Sequence, residues 1–140
     1  MSLAARRVMF DTTIIISAFL NPQGNPYIAL IKGAQFPYSL VLCDQIFDEI
    51  RRIFNRKFPA QILNMEKFLA RLCCDMVTLT AEDEIYLDED RIRDVTDRPI
   101  LRAAIKAGVD IFVTGDKDFL ESEILLPMIL KATQFIQLEY

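Results

Sequence analysis

Apolar residues along this chain occur in two alternating kinds of run. Short continuous runs at Arg7–Phe10, Ser39–Cys43, Asp75–Leu79 and Asp110–Thr114, with a further one near Met128–Leu130, read as strands, the first of them buried. Between them the spacing turns helical. Ile14–Leu20 predicts a helix that the turn at residues 21–24 ends, and Asn25-Pro26 is placed to cap a second helix running to about Lys32, with Pro at its first helical position. Asp44 is placed to N-cap a helix reaching Lys57, and Pro59 opens another in which Ile62, Met65, Leu69 and Leu72 share a face. Thr96–Gly108 predicts a helix closed by glycine. Strands alternating with helices imply an α/β fold, with a mostly parallel sheet of four to five strands flanked by helices on both faces. No internal repeat, low-complexity tract or linker interrupts the pattern, so residues 1–140 are expected to form a single domain.

Composition narrows the chemistry. At 140 residues and 52% hydrophobic, the chain can bury a core large enough to offset its ordering entropy. The longest apolar run, Thr13–Leu20, is too short to span a membrane. Residues 1–7, Met-Ser-Leu-Ala-Ala-Arg-Arg, lead straight into a strand, so no secretory leader is expected and the location implied is cytoplasmic. Cys43, Cys73 and Cys74 then read as small core residues rather than a disulfide framework. The chain has no histidine, which excludes imidazole bases, histidine-paired nucleophiles and histidine-bound zinc. Its net charge is −4, but residues 81–94 alone hold seven acids and two bases, leaving 13 acids against 14 bases elsewhere. The acidic stretch reads as a solvated loop.

Other acids fall in more informative places. In open α/β sheets, ligands bind beyond the carboxyl ends of the strands. Asp11 follows the first strand directly, Asp116 lies two residues after the strand ending at Thr114, and Glu49 is about one turn into the helix after Cys43. In that helix Ile46, Phe47, Ile50, Ile53 and Phe54 form an apolar stripe; Asp48 lies opposite it and Glu49 on its flank. Arg52 and Arg56 share the flank, so Glu49 can equally form an ordinary intrahelical ion pair. Asp97 shares the stripe of Ile100, Leu101 and Ala104 at its helix's start, where it suits either a cap or a ligand; Asp94 and Asp118 are weaker candidates of the same type. Carboxylates converging on one cleft repel by roughly 4 kcal/mol per pair at 4 Å and an effective dielectric of 20. A cluster of this kind stays ionised only around a cation, and all-oxygen ligands select Mg²⁺ or Mn²⁺. Such ions act on phosphate oxygens, activating water and neutralising charge.

These residues also carry a family resemblance. Val8–Leu20, a strand ending in Asp followed by Thr, resembles the opening of PIN-domain nucleases. The segment Asp97–Leu120 is similar to that family's second half: an Asp opening an Ala-rich helix, a buried strand, then Thr-Gly-Asp-Lys-Asp. Asp44–Glu49 resembles the helix bearing the family's catalytic Glu. The resemblance spans about residues 6–135 and is closest to the toxin components of type II (VapC-type) toxin–antitoxin pairs. It implies a Mg²⁺- or Mn²⁺-dependent endoribonuclease that cuts single-stranded RNA to 5′-phosphate and 3′-hydroxyl ends. It further implies Asp11, Glu49, Asp97 and Asp116 as catalytic and metal-binding acids, with Asp118 as an additional ligand. Arg52, Arg56 and Lys117 become candidate phosphate contacts, and Thr13 occupies the position where the family usually carries Asn or Ser to hold the first Asp. A small antitoxin partner and a homodimer are also implied.

Two other readings compete. A haloacid-dehalogenase-type phosphatase requires a second Asp two residues after the first, and that position is Thr13. A PIN-like domain that binds RNA or protein without cutting is the stronger alternative, since Thr13 and the acidic loop both depart from a simple nuclease.

Overall fold

The computed structural model describes residues 5–139, so residues 1–4, on which the leader expectation rests, lie outside the described residues. Five strands form one fully parallel sheet in the order β3-β2-β1-β4-β5. They are β1 (Arg6–Phe10), β2 (Tyr38–Cys43), β3 (Cys74–Val77), β4 (Ile111–Val113) and β5 (Met128–Leu130). Flanking them are helices α1 (Thr12–Leu20), α2 (Asn25–Gly33), α3 (Asp44–Lys57), α4 (Ile62–Arg71), α5 (Arg98–Lys106), α6 (Lys117–Leu120) and α7 (Ala132–Gln137). None of the described helices is long and apolar enough to cross a membrane.

The central strand explains the rest. Val8, Met9 and Phe10 are fully buried, with β2 paired on one side and β4 on the other, which is why this run shows no polar alternation. From β1 the chain builds outward through β2 to β3, then returns to lay β4 and β5 on the opposite flank. The direction of growth therefore reverses between β1 and β4. At such a switch point the loops beyond the carboxyl ends part and leave a crevice. Asp11 and Asp116 stand at the ends of these two strands.

Packing over β1 demands close approach. A β-carbon on Gly33 would lie 2.6 Å and 2.8 Å from two ring atoms of Phe10. Phe10 also meets Phe135 edge-on at 5.8 Å, and Lys32 donates to the carbonyls of Phe135, Ile136 and Leu138, tying α7 to α2. The glycine after α5 serves conformation instead. Gly108 has φ +65°, and the amides of Gly108 and Val109 donate to the carbonyls of Ile105 and Ala104, a Schellman closure.

Several local expectations are corrected. The helix predicted over Thr96–Gly108 begins at Arg98, because Val95–Asp97 form a 3₁₀ turn first. Pro59 likewise opens a 3₁₀ turn of three residues, Pro59–Gln61, ahead of α4. Asp44 is the first residue of α3 rather than its cap, and its carboxylate accepts from the adjacent Gln45 amide at 3.1 Å. Gly24, not Asn25, occupies the cap position of α2. Of the cysteines only Cys43 is fully buried, its thiol pushed up to about 11 by burial, while Cys73 is exposed on the loop entering β3. The acidic stretch is not uniformly solvated either, since Glu89 is 1% exposed.

The Gly33 contact predicts that Gly33→Ala destabilises the protein by about 1–3 kcal/mol in urea denaturation, through overpacking against Phe10. Gly115→Ala, whose β-carbon meets nothing within 4 Å, should change stability by less than about 0.5 kcal/mol.

Candidate active site

A cleft of about 420 Å³ at the switch point is lined by Asp11, Thr13, Glu49, Asp97, Gly115 and Asp116. The four acids singled out in the sequence thus meet, brought by β1, α3, the turn before α5 and the loop after β4. No basic side chain lines this cleft.

Asp11 is the innermost, 7% exposed. It caps α1, with Oδ1 accepting from the Thr12 amide at 2.8 Å. Its Oδ2 accepts from the Thr114 hydroxyl at 2.7 Å, and the backbone amide of Asp11 donates to the Val113 carbonyl at 2.9 Å. Thr114 oxygen in turn accepts from the Asp116 amide at 3.0 Å, and Asp116 Oδ1 accepts from the Asp118 amide at 2.9 Å. On the other side the Thr12 hydroxyl donates to Glu49 Oε2 at 3.0 Å. Two buried threonines therefore couple three of the acids. Each hydroxyl offers one donor and two acceptor lone pairs, and Thr114 uses its oxygen both ways.

Their electrostatics are unbalanced. Burial, the largest influence, raises Asp11 from 3.8 to about 6; its hydrogen bonds to Thr114 and Thr12 lower it, and the charges of Glu49 and Asp116 raise it. Asp97 rises to about 7, first through desolvation and then through Asp94, Asp11, Asp116 and Glu49. Although Asp97 stands at the N-cap position of α5, its side chain makes no cap hydrogen bond, so the capping alternative does not describe it. Asp94 does cap: its carboxylate accepts from the Thr96 amide and hydroxyl, which hold it below the usual carboxylate range.

Of the remaining candidates only Thr13 reaches the cleft. Asp118 does not line it; Arg93 pairs with Asp118 at 2.9 Å. One oxygen each of Asp94, Asp97 and Asp118 lie within 4.8 Å of one another, so Asp97 belongs to both acid groups. Arg52, Arg56 and Lys117 are exposed, and Glu49 bonds Thr12 rather than the helical arginines. Thr13 faces the cleft without a hydrogen bond to Asp11; the hydroxyl that holds that acid is Thr114's, 103 residues away in sequence. The supporting threonines were not assigned roles from sequence. Their signal was present in the Asp11-Thr12 and Thr114-Gly115-Asp116 spacings, where a hydroxyl sits beside each strand-end acid.

The donor set is all carboxylate oxygen, with neither cysteine nor basic side chain in the lining, and two of its members are held above their normal ionisation range. These residues fit a hard divalent cation and would disfavour a soft one.

Solved structures with the same arrangement of elements include VapBC2 from Rickettsia felis bound to a DNA fragment from their promoter, at a TM-score of 0.65 and 15% identity, covering 89% of this chain and 97% of that one. PAE2754 from Pyrobaculum aerophilum also matches at 0.65 and 15% identity, covering 94% of this chain and 88% of its own. At that identity they show the fold alone. No curated protein matches the sequence. The family model described as PIN domain matches residues 7–118, a span that takes in every acid of the cleft, and the chain belongs to the PIN domain family.

Proposed function

We propose that this protein is a divalent-metal-dependent endoribonuclease that hydrolyses single-stranded RNA, acting as the toxin of a toxin–antitoxin pair in the cytoplasm. The observation that carries the reading is the convergence of Asp11, Glu49, Asp97 and Asp116 on one cleft whose lining holds no cation. Membership of the PIN domain family supports it. The neighbour solved as VapBC2 on promoter DNA supports a small antitoxin as partner, and a homodimer belongs to the same reading.

Asp11, Asp97 and Asp116 would hold Mg²⁺ or Mn²⁺, joined by Glu49 directly or through water, and by Asp118 only if Arg93 releases it. Such an ion, when bound, supplies neutralisation of phosphate charge and a lowered pKa for water. The chain's own residues do the positioning. Thr114 and the Thr12 amide fix both oxygens of Asp11, and Thr12 holds Glu49 by one oxygen and leaves the other free to accept a proton or a water. Short loops leave the cleft open to a flexible backbone, which favours single-stranded RNA over duplex. Arg52, Arg56 and Lys117 would meet phosphates outside the cleft. Because Asp11 is held without Thr13, the departure at that position does not favour the non-cutting alternative.

Asp11→Asn and Asp97→Asn should fold and yet lose Mn²⁺-dependent cleavage of a single-stranded RNA by more than about a hundredfold. Thr114→Val should cost about 10–100-fold, as loss of an orienting partner does. Full cleavage by both Asp variants, read on a denaturing gel, would falsify the site.

Linkage gives a second test. A carboxyl whose folded pKa is raised contributes stability below its unfolded pKa, and that stability is lost as pH rises through the folded value. For Asp11 and Asp97 the window runs from about 4 to about 6 and about 7. Metal-free protein should therefore melt lower at pH 8 than at pH 5. Asp97→Asn should recover about 1–2 kcal/mol at pH 8, a figure already reduced for the partial exposure of Asp97. Mn²⁺ should raise the pH 8 midpoint of the native chain and leave that of Asp97→Asn nearly unmoved; equal shifts in both, measured by calorimetry, would contradict metal binding in the cleft.

A further inference from the structure

A second and larger concavity, about 550 Å³, opens at the opposite ends of the strands, where the chain enters β4 and β5. The acidic stretch forms one wall of it. Its apolar rim includes Ile85, Leu87 and Leu126, which are 71%, 89% and 67% exposed. Glu84, Asp88 and Asp110 also line it, and no lysine or arginine does. Isolated exposed apolar residues are ordinary, but three in one groove mark an interaction surface.

The wall that presents them is pinned. Glu89 is 1% exposed and receives two hydrogen bonds from the Arg102 guanidinium, at 3.0 Å and 2.7 Å, and another from the Tyr86 amide at 2.8 Å. Burial pushes its pKa up, yet these bonds outweigh it and hold the carboxyl below its ordinary range. Lys106 bridges Asp83 and the Thr78 carbonyl, and Ile92 is fully buried. Tyr86, Leu87 and Asp88 are thereby fixed to α5 rather than left on a free loop. The groove is formed before any partner arrives.

Its charge selects the partner. Asp88 has one cation, Arg91 at 3.3 Å; Asp110 accepts the Arg7 amide; Glu84 has no ion pair among the described residues. Two copies of this face set together symmetrically would oppose the acids of each to those of the other. Nucleic-acid phosphates and anionic lipid headgroups meet the same repulsion. We propose that this groove docks a cationic amphipathic polypeptide segment, seating its apolar side chains on Ile85, Leu87 and Leu126 while its Lys or Arg side chains face Glu84, Asp88 and Asp110. This is independent of the nuclease reading, since the acid cleft lies at the other ends of the strands.

A phage-displayed library of random peptides of about twelve residues, panned on the full chain, tests it. Enriched sequences should carry Leu, Ile, Phe or Met flanked by Lys or Arg. Synthetic copies, followed by fluorescence anisotropy, should bind Leu87→Ser and Glu84→Lys at least about tenfold more weakly, and Asp97→Asn within about twofold of the native chain. Both groove substitutions replace exposed side chains, and unchanged melting midpoints verify their folding. The proposal is overturned if no peptide is enriched, if enriched peptides bind the groove variants undiminished, or if Asp97→Asn is what abolishes binding. It is equally overturned if light scattering finds an oligomer that Leu87→Ser dissociates, because the groove's occupant would then be a second copy.

Discussion

Where β1, α1 and β4 meet, the fold places the carboxylate of Asp11 almost entirely out of water, and no lysine or arginine lines its cleft. Burying a charge in that way is costly unless hydrogen bonds or a counter-ion compensate. Hydrogen bonds do part of the work. The Thr12 amide and the Thr114 hydroxyl each occupy one oxygen, and the group still titrates at about 6. The same two threonines orient the neighbours, Thr12 through its hydroxyl on Glu49 and Thr114 by accepting the Asp116 amide. Asp97 receives no such support and is raised furthest, to about 7. The cleft therefore ties three of its acids into one hydrogen-bond network and lines the four with no lysine or arginine to balance them.

Topology brings these acids together more than any local preference does. A strand-end Asp is ordinary by itself, because a carboxylate caps the following helix, and Asp11 does cap α1. What makes it more than a cap is the reversal of strand order between β1 and β4, which puts the Thr114–Asp116 turn beside it although 103 residues separate Thr114 from Asp11. Parallel pairing through β1 holds the two strand ends in register, Phe10 opposite Val113. Gly33 contributes at a distance, since its missing β-carbon lets α2 settle on Phe10, the residue immediately before Asp11.

Strands and the acid quartet were legible in the sequence because both depend on short-range pattern: a buried parallel strand is a continuous apolar run, and an acid at its end stands out. The hydroxyl network was not legible. Thr12 and Thr114 look like interchangeable polar residues until the fold sets them beside Asp11 and Glu49. Thr13 drew attention as the departure from the family pattern, yet the hydrogen bond expected there is made from β4's end. Helix starts failed for a related reason. Asp44 and Asp97 carry cap-forming side chains, but Asp44 turns to the amide next to it and Asp97 turns to the cleft. Cap propensity describes what a residue does when nothing else competes for it.

The same competition separates the two acidic regions, whose compositions look alike. Asp83, Glu89 and Asp94 are all held below their ordinary range because the chain supplies donors for each: the Thr80 amide and Lys106, Arg102, and Thr96. Asp11 and Asp97 are held above it first by burial and then by the charges of neighbouring acids, which the chain's donors do not offset. Net charge cannot express this difference, which lies in whether a carboxylate's partner is built in. Where partners are built in, acids act as structure, and in the 81–94 stretch they fasten a wall that keeps Ile85 and Leu87 in solvent at the rim of the second groove. Where they are too few, a carboxylate stays uncompensated, and the two acidic regions then differ as proposed above: the cleft would take its balancing charge from a metal ion, and the groove from Lys or Arg side chains of a partner segment.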